Sequence, residues 1–186
     1  LINIYMEKIQ GIEGTRITRI YSAKFYFFKY VTYNSTHPNF YYDMFPLIFT
    51  LGKVPKSKGG AEDEGGGGKL IRGLNFHYIP PKMRLPLLNE LRSITPDLHR
   101  NPVAFARFFR PLLWRLRKYR PARVCYRHYD IKHIRGGKVI RIHKDNWDDL
   151  LMTPGVEHFI TSSFGKYASE RVWKNSLREM RKTGSD

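Results

Sequence analysis

One segment near the middle of the chain constrains the fold most, because its hydrophobic pattern changes from that of a strand to that of a helix. Leu74, Phe76 and Tyr78 alternate with other residues, as in a strand with one face against a core. Pro80 and Pro81 follow, and neither can donate a hydrogen bond to a strand ladder. We therefore expect a strand that ends at the double proline, and a helix that begins at Pro81.

A second run of strand-forming residues precedes this segment. A glycine-rich stretch, residues 52–69, separates the two and has too little apolar surface to pack, so it is predicted to be a long loop. Leu47–Leu51 and Leu70–Ile79 are therefore predicted to pair as the antiparallel strands of a hairpin. Gly136-Gly137 predicts a turn, and the alternating residues Lys138–His143 predict a third strand.

Apolar residues recur at helical spacing in Met83–Ser93, Val103–Leu116 and Ala168–Lys182, and Lys144–Asp149 has the composition of a helix start. The docking face predicted for the last helix is Val172, Trp173 and Leu177. The sequence indicates an α+β fold, with a small, mostly antiparallel sheet and three or four packed helices.

The N-terminal residues 1–40 are predicted to be an aromatic-rich arm or strand segment, and residues 41–186 a single α+β domain that contains the glycine-rich loop. Within the arm, Tyr21–Tyr33 is crowded with aromatic residues, which favour a strand. Such a strand could present rings for stacking on single-stranded bases. We favour a buried strand instead, because few polar residues interleave with the aromatic ones.

The charge of the chain indicates what it binds. The 33 lysines and arginines exceed the 16 acidic residues and give a net charge of +17 and a pI of about 10.1. Such a chain attracts a polyanion, which is a nucleic acid, an anionic membrane or an acidic protein. Residues 103–144 hold 13 lysines and arginines against one acid, Asp130, and so carry +12 of the total. We favour a nucleic acid because the charge is concentrated.

The residues predicted to contact the phosphate backbone lie in and beside the second predicted helix. They are Arg107, Arg110, Arg115, Arg117, Lys118, Arg120, Arg123, Arg127, Lys132 and Arg135. A merely solvated helix face would usually alternate the signs of its charges. Three tyrosines among them are equally compatible with stacking on bases and with core packing: Tyr119, Tyr126 and Tyr129.

A metal-dependent nuclease is an alternative, because histidine, carboxylate and amide side chains can hold Mg²⁺ and activate water. The candidates for such a site are His128, His133, His143, Asp130, Asp145 and Asn146. His128 and His133 are five residues apart and do not share a helical face, and no Glu-x-Lys follows an Asp-bearing strand. We therefore predict a protein that is not an enzyme, with no catalytic residue, no metal site and no cofactor.

Two other side chains with chemical potential are expected to be structural. His77 is predicted to be a satisfied polar residue at a turn. Cys125, the single cysteine, excludes an internal disulfide and a Cys-rich zinc site, and its apolar neighbours predict burial. No run of about 18 apolar residues exists, so no transmembrane helix is expected.

Two motifs resemble those of a known family. They are Tyr41-Tyr42-Asp43-x-Phe45-Pro46-Leu47 and Gly73-Leu74-Asn75-Phe76-His77-Tyr78-Ile79-Pro80-Pro81-x-x-Arg84. In these motifs the chain is similar to small proteins of T4-type tailed bacteriophages and cyanophages, which are described as DNA end protector proteins. The resemblance is specific over residues 41–91 and weaker over residues 123–173.

The resemblance implies a virion protein, assembled in the host cytoplasm, at the head–tail or neck region or in the tail. Its implied partners are phage DNA, contacted through its backbone at the packaged end, and other virion proteins in a symmetric assembly, with no membrane. No catalytic residue carries over. The alternatives are a tail or baseplate subunit that binds acidic protein neighbours, and a Mg²⁺-dependent, homing-type endonuclease.

Overall fold

The computed structural model describes residues 14–17, 20, 23–31, 42–53, 70–94, 114, 119–152, 159–160 and 169–182. The strands are β1 (Gly14–Ile17), β2 (Phe25–Tyr30), β3 (Tyr42–Asp43), β4 (Leu47–Lys53), β5 (Leu70–Asn75), β6 (Tyr126–Asp130), β7 (Ile134–Ile142) and β8 (Phe159–Ile160). The helices are α1 (Pro81–Ile94), α2 (Arg120–Cys125), α3 (Trp147–Met152) and α4 (Ser169–Lys182). Single 3₁₀ turns are formed by Phe76–Tyr78, Ile131–His133 and Lys144–Asn146. Within this part of the chain, no helix has the length and hydropathy of a membrane span.

Six strands form one antiparallel sheet in the order β1-β7-β2-β4-β5-β6, and β3 pairs with β8 beside it. The predicted hairpin is confirmed, because β4 and β5 pair antiparallel, with Phe49 opposite Leu74. The helices predicted over Met83–Ser93 and Ala168–Lys182 are α1 and α4. The predicted α+β fold, with a mostly antiparallel sheet and packed helices, is confirmed.

The strand β5 is shorter than predicted, because it ends at Asn75 and not at the double proline. The Asn75 side chain accepts a hydrogen bond from the backbone N–H of His77 and starts a 3₁₀ turn in place of further strand pairing. Pro81 is the first residue of α1, as predicted, and Pro86 lies inside that helix.

The turn predicted at Gly136-Gly137 is wrong. Both glycines lie within β7, which continues through them, and the pairing with β2 shifts register between Phe28 and Lys29. A Gly-Gly pair is compatible with a β-bulge as well as with a turn, because both structures use backbone conformations that glycine adopts more easily than other residues.

The aromatic strand β2 lies between β7 and β4, and its first four residues are buried. The strand predicted within Tyr21–Tyr33 is therefore confirmed over Phe25–Tyr30, and its burial is confirmed over its first four residues. Both β1 and β2 come from residues 1–40, so the predicted arm or strand segment supplies two strands of the sheet. The domain boundary at residue 40 stays a prediction.

The sheet separates two buried clusters of apolar side chains. The larger cluster packs between the sheet and the helices and includes Phe25, Phe49, Leu74, Leu87, Trp147 and Val172. The smaller one lies on the opposite face and consists of Tyr26, Phe28, Ile48, Ile71 and Tyr129. Trp173 and Leu177 pack against the larger cluster beside Val172, which confirms the docking face predicted for α4.

Candidate nucleic-acid interface

Half of the predicted phosphate contacts fall on described residues, and they do not share one helix face. Arg120 and Arg123 belong to α2, Arg127 to β6, Lys132 to a 3₁₀ turn and Arg135 to β7. The others lie outside the described residues and stay predictions: Arg107, Arg110, Arg115, Arg117 and Lys118.

Arg120, which lies beyond the predicted helix Val103–Leu116, is the first residue of a separate short helix. Tyr119 is extended, with φ −92° and ψ 104°, and α2 begins at Arg120 with Pro121 in its first turn. Arg120 is exposed, and Arg123 is half-buried. The Nε atom of Arg123 is buried without a hydrogen-bond partner, and no ion pair joins Arg123 to a carboxylate within the described residues.

The guanidinium of Arg127 is held in place by an aromatic ring. Its central carbon lies 4.0 Å from the centre of the Tyr78 ring, and Nη1 donates to the carbonyl oxygen of Tyr126 at 2.8 Å. Burial raises the pKa of Tyr78, although the Arg127 charge opposes that rise. Arg127 is half-buried and has no carboxylate partner among the residues that the structure describes, so its charge remains available to an anion.

Lys132 is already paired within the chain. Its Nζ lies 3.1 Å from Oδ2 of Asp130, and its backbone N–H donates to Oδ1. Desolvation raises the pKa of Asp130, but these interactions with Lys132 outweigh it and lower the pKa overall. The charge of Lys132 is therefore partly neutralised within the chain. Arg135 is exposed at the start of β7.

The three tyrosines of the basic stretch have different environments. Tyr129 is a core residue, and burial raises the pKa of its hydroxyl well above the ordinary value. Tyr119 and Tyr126 are half-buried and pack against the larger cluster. The Tyr126 hydroxyl lies 3.1 Å from Nε2 of His128. Core packing is thus the role of Tyr129, while Tyr126 keeps an accessible edge.

Arg72 is a cation beside β6 that sequence reasoning missed. It lies on β5 directly opposite His128 and is half-buried. Burial, with a smaller contribution from the Arg72 charge, lowers the pKa of His128. No local pattern in the sequence indicates that Arg72 lies beside the basic stretch, because only the pairing of β5 with β6 brings it next to His128.

The candidate nuclease residues, all of which the structure describes, do not come together as a metal site. Within the described residues, no three His, Cys, Asp or Glu side chains are placed to share a metal ion. His128 contacts Tyr126, and Asp130 contacts Lys132. Cys125 is buried, as predicted, and desolvation raises the pKa of its thiol to about 12.

A buried polar network joins the two motifs noted in the sequence. Oδ2 of Asp43 lies 2.6 Å from Nδ1 of His77 and accepts a hydrogen bond from Nδ2 of Asn75, which also donates to the Tyr129 hydroxyl. His77 is thus satisfied at Nδ1, but its Nε2 is buried without a partner.

Arg84 closes the second motif and is buried as well. It donates to the carbonyl oxygens of Ile79 and Leu151 and to the hydroxyl of Ser169, and so connects α1 to α3 and α4. Both motifs are therefore architectural.

A comparison with known protein families matches residues 3–176 to the family described as phage T4 terminal DNA protecting protein. The chain belongs to this family. No curated protein and no solved structure matches the chain.

Membership of the terminal DNA protecting protein family confirms the resemblance that the two motifs carry. The match extends over residues for which the motifs alone gave no indication, including β1 and β2. The whole sheet, and not only the segment from 41 to 91, is therefore within the region that the family shares.

Proposed function

We propose that this protein is a non-enzymatic phage virion protein that binds the end of the packaged DNA through its backbone phosphates. Its place is the head–tail or neck region or the tail, among other virion proteins in a symmetric assembly. Membership of a family described as terminal DNA protecting supports the DNA end as the target. The net charge of +17 supports binding to backbone phosphates.

The observation that carries the proposal at the residue level is the state of Arg123 and Arg127. Each is half-buried, and neither is neutralised by a carboxylate among the described residues. A half-buried cation without a counter-charge gains more free energy on binding an anion than a fully solvated cation does, because water screens its charge less. Planar guanidinium groups also match the geometry of phosphate oxygens.

The dependence of DNA affinity on salt concentration tests this site. We expect the double variant Arg123→Gln/Arg127→Gln to lower the slope of log affinity against log salt by about 2, because two phosphate contacts are lost. The variant Arg127→Lys should keep the slope, since it keeps the charge. Binding of a short linear duplex, followed by fluorescence anisotropy at several salt concentrations, measures both.

The matched control is Lys174→Gln/Arg178→Gln, which removes the same charge from the exposed face of α4. It should leave the slope unchanged. Equal slopes for the wild type and the Arg123/Arg127 variant would contradict the assignment of these two residues. The variant Arg110→Ala/Arg115→Ala/Arg117→Ala tests the predicted contacts outside the described residues in the same way.

Protection of DNA ends is measured separately. The wild-type protein should slow the digestion of linear duplex by an exonuclease, and a covalently closed circle should compete poorly for the protein. Unchanged digestion at saturating protein would contradict the end-binding function even where the duplex is bound.

A tail or baseplate subunit that binds acidic proteins is the second candidate. Trp114 favours it, because its side chain is 60% exposed and tryptophan is enriched at the centres of protein interfaces. Binding to acidic virion proteins that is lost on Trp114→Ala, with no binding to duplex at low salt, would establish this candidate instead.

A further inference from the structure

The last strand of the sheet carries an exposed ring beside the proposed phosphate contacts. β6 lies at one end of the strand order and, among the strands that the structure describes, pairs only with β5. Side chains alternate along a strand, so Tyr126 and His128 share the face opposite to that of the buried Tyr129. His128 is exposed, and a ligand can therefore reach its ring.

The His128 ring is oriented by its neighbour before any ligand arrives. Its centroid lies 5.1 Å from that of the Tyr126 ring, at an interplanar angle of 74°. The Tyr126 hydroxyl is hydrogen-bonded to Nε2 of His128 at 3.1 Å, and Tyr126 packs against the larger apolar cluster. An edge-to-face contact between two rings occupies at most one face of each, so Tyr126 leaves at least one face of the imidazole uncovered.

Positive charge lies next to this ring, although the ring itself carries little. Arg127 immediately precedes His128, and its Nη1 lies 2.8 Å from the carbonyl oxygen of Tyr126, on the same strand. Burial, and then the charge of Arg72 directly opposite on β5, lower the pKa of His128. The imidazole is therefore largely neutral at pH 7. His128 thus offers an aromatic surface, while the adjacent guanidinium of Arg127 offers the charge.

We propose that His128 stacks on the exposed face of the terminal base pair of a DNA duplex, while Arg127 contacts the backbone of the last nucleotides. An internal base pair has a neighbour on each face, whereas the terminal pair has one face open. Histidine is among the side chains on which bases stack. The inference rests on the proposed DNA-binding function and adds to it the residue that distinguishes an end from the interior.

A blunt duplex and a dumbbell with the same stem test this role, because the loops of the dumbbell cover both terminal pairs. We expect the wild-type protein to bind the open duplex about tenfold more tightly, in the lower part of the range for base–aromatic stacking. The variant His128→Gln keeps a polar side chain without a ring and should bind both DNAs equally. The variant His128→Phe keeps a ring and should retain most of the preference.

The matched control is His143→Gln, which removes another exposed histidine just beyond the end of β7. It should keep the tenfold preference, and circular dichroism melts establish that each variant is folded. NMR gives an independent measurement, because the ring current of a stacked base shifts nearby protons upfield. The ring protons of His128 should move upfield on binding of the open duplex and not on binding of the dumbbell.

Three results would overturn the stacking role and leave the backbone contacts of Arg123 and Arg127 standing. They are equal binding of both DNAs by the wild-type protein, a full preference in His128→Gln, and a His128→Phe variant that loses the preference as completely as His128→Gln does. A wild-type protein that binds neither DNA at low salt would instead overturn the proposed function itself.

Discussion

Asn75 makes three buried hydrogen bonds, as many as Asp43, and is the member of the network that links Asp43, His77 and Tyr129. Its amide donates to Asp43 and Tyr129, and its carbonyl oxygen accepts from the backbone of His77. We expect Asn75→Ala to lower the free energy of unfolding by about 3 kcal/mol, because it leaves buried polar groups without partners. Urea unfolding, followed by tryptophan fluorescence, measures this loss.

Tyr129→Phe is the matched comparison within the same network. It removes one hydroxyl and keeps the ring, which packs against Phe28 and Tyr30. The expected loss is about 1 kcal/mol, since a single hydrogen bond disappears and the aromatic contacts remain. A loss from Tyr129→Phe as large as that from Asn75→Ala would contradict the central place of Asn75.

Cys125 illustrates how burial controls a reactive group. Desolvation raises the pKa of its thiol from 9.0 to about 12, so the thiolate needed for reaction is scarce in the folded protein. We expect the native protein to react negligibly with a disulfide reagent at pH 8, and to react fully in urea. Because the folded pKa is the higher one, this thiol stabilises the fold below pH 9, and its contribution is lost as the pH rises towards 12. Rapid reaction in the native state would contradict its burial.

At the scale of elements, α1 contains a proline that weakens it. Pro86 is the sixth residue of α1 and is exposed, and it cannot donate a hydrogen bond to the carbonyl of Lys82. We expect Pro86→Ala to raise the free energy of unfolding by about 1–2 kcal/mol, somewhat less than the full helix-propensity difference. The control is Glu90→Ala in the same helix, which should change stability by less than about 0.5 kcal/mol. Denaturant midpoints of the two variants decide the outcome.

Elements with a strong local pattern were predictable, and those defined by distant partners were not. The change of period near Pro81 and the apolar run Leu47–Leu51 each lie within a few residues, so α1 and the β4–β5 hairpin follow from them. Strand β6 could not be predicted in this way, because its sequence, YRHYD, is largely polar and only Tyr129 is buried. The bulge at Gly136-Gly137 depends on β2, more than 100 residues earlier in the chain.

The same distinction between local pattern and distant partners applies to the candidate interface. Charge density along the chain indicates the basic stretch, since counting residues is enough. The ring that holds Arg127 belongs to Tyr78, far away in sequence, and Arg72 lies opposite His128 only because β5 pairs with β6. The strand pairing therefore determines which cations lie close together. The sequence shows how much positive charge the chain carries, but it does not show how the charged side chains are arranged in space.

At the scale of the whole molecule, the N-terminal strands belong to the centre of the fold. β2 separates β7 from β4, and its Phe25, Tyr26, Phe27 and Phe28 side chains are all buried. Complete burial of each such side chain contributes about 1.5–3 kcal/mol. Together they approach the entire stability of an ordinary domain, which is about 5–15 kcal/mol.

Removal of residues 1–40 should therefore abolish the cooperative fold of residues 41–186, although the sequence alone predicts that this part is a domain. Without β2, both β7 and β4 would lose a partner, and the aromatic contacts of Phe25 with Phe49, Phe76 and Trp147 would vanish. Differential scanning calorimetry of the truncated chain should show no unfolding transition, whereas the full chain should show one. Adding a synthetic peptide of residues 14–31 should restore the transition, because it returns β1 and β2. A truncated chain that melts cooperatively on its own would place the domain boundary at residue 40 after all, and would make β2 an addition to a sheet that is stable without it.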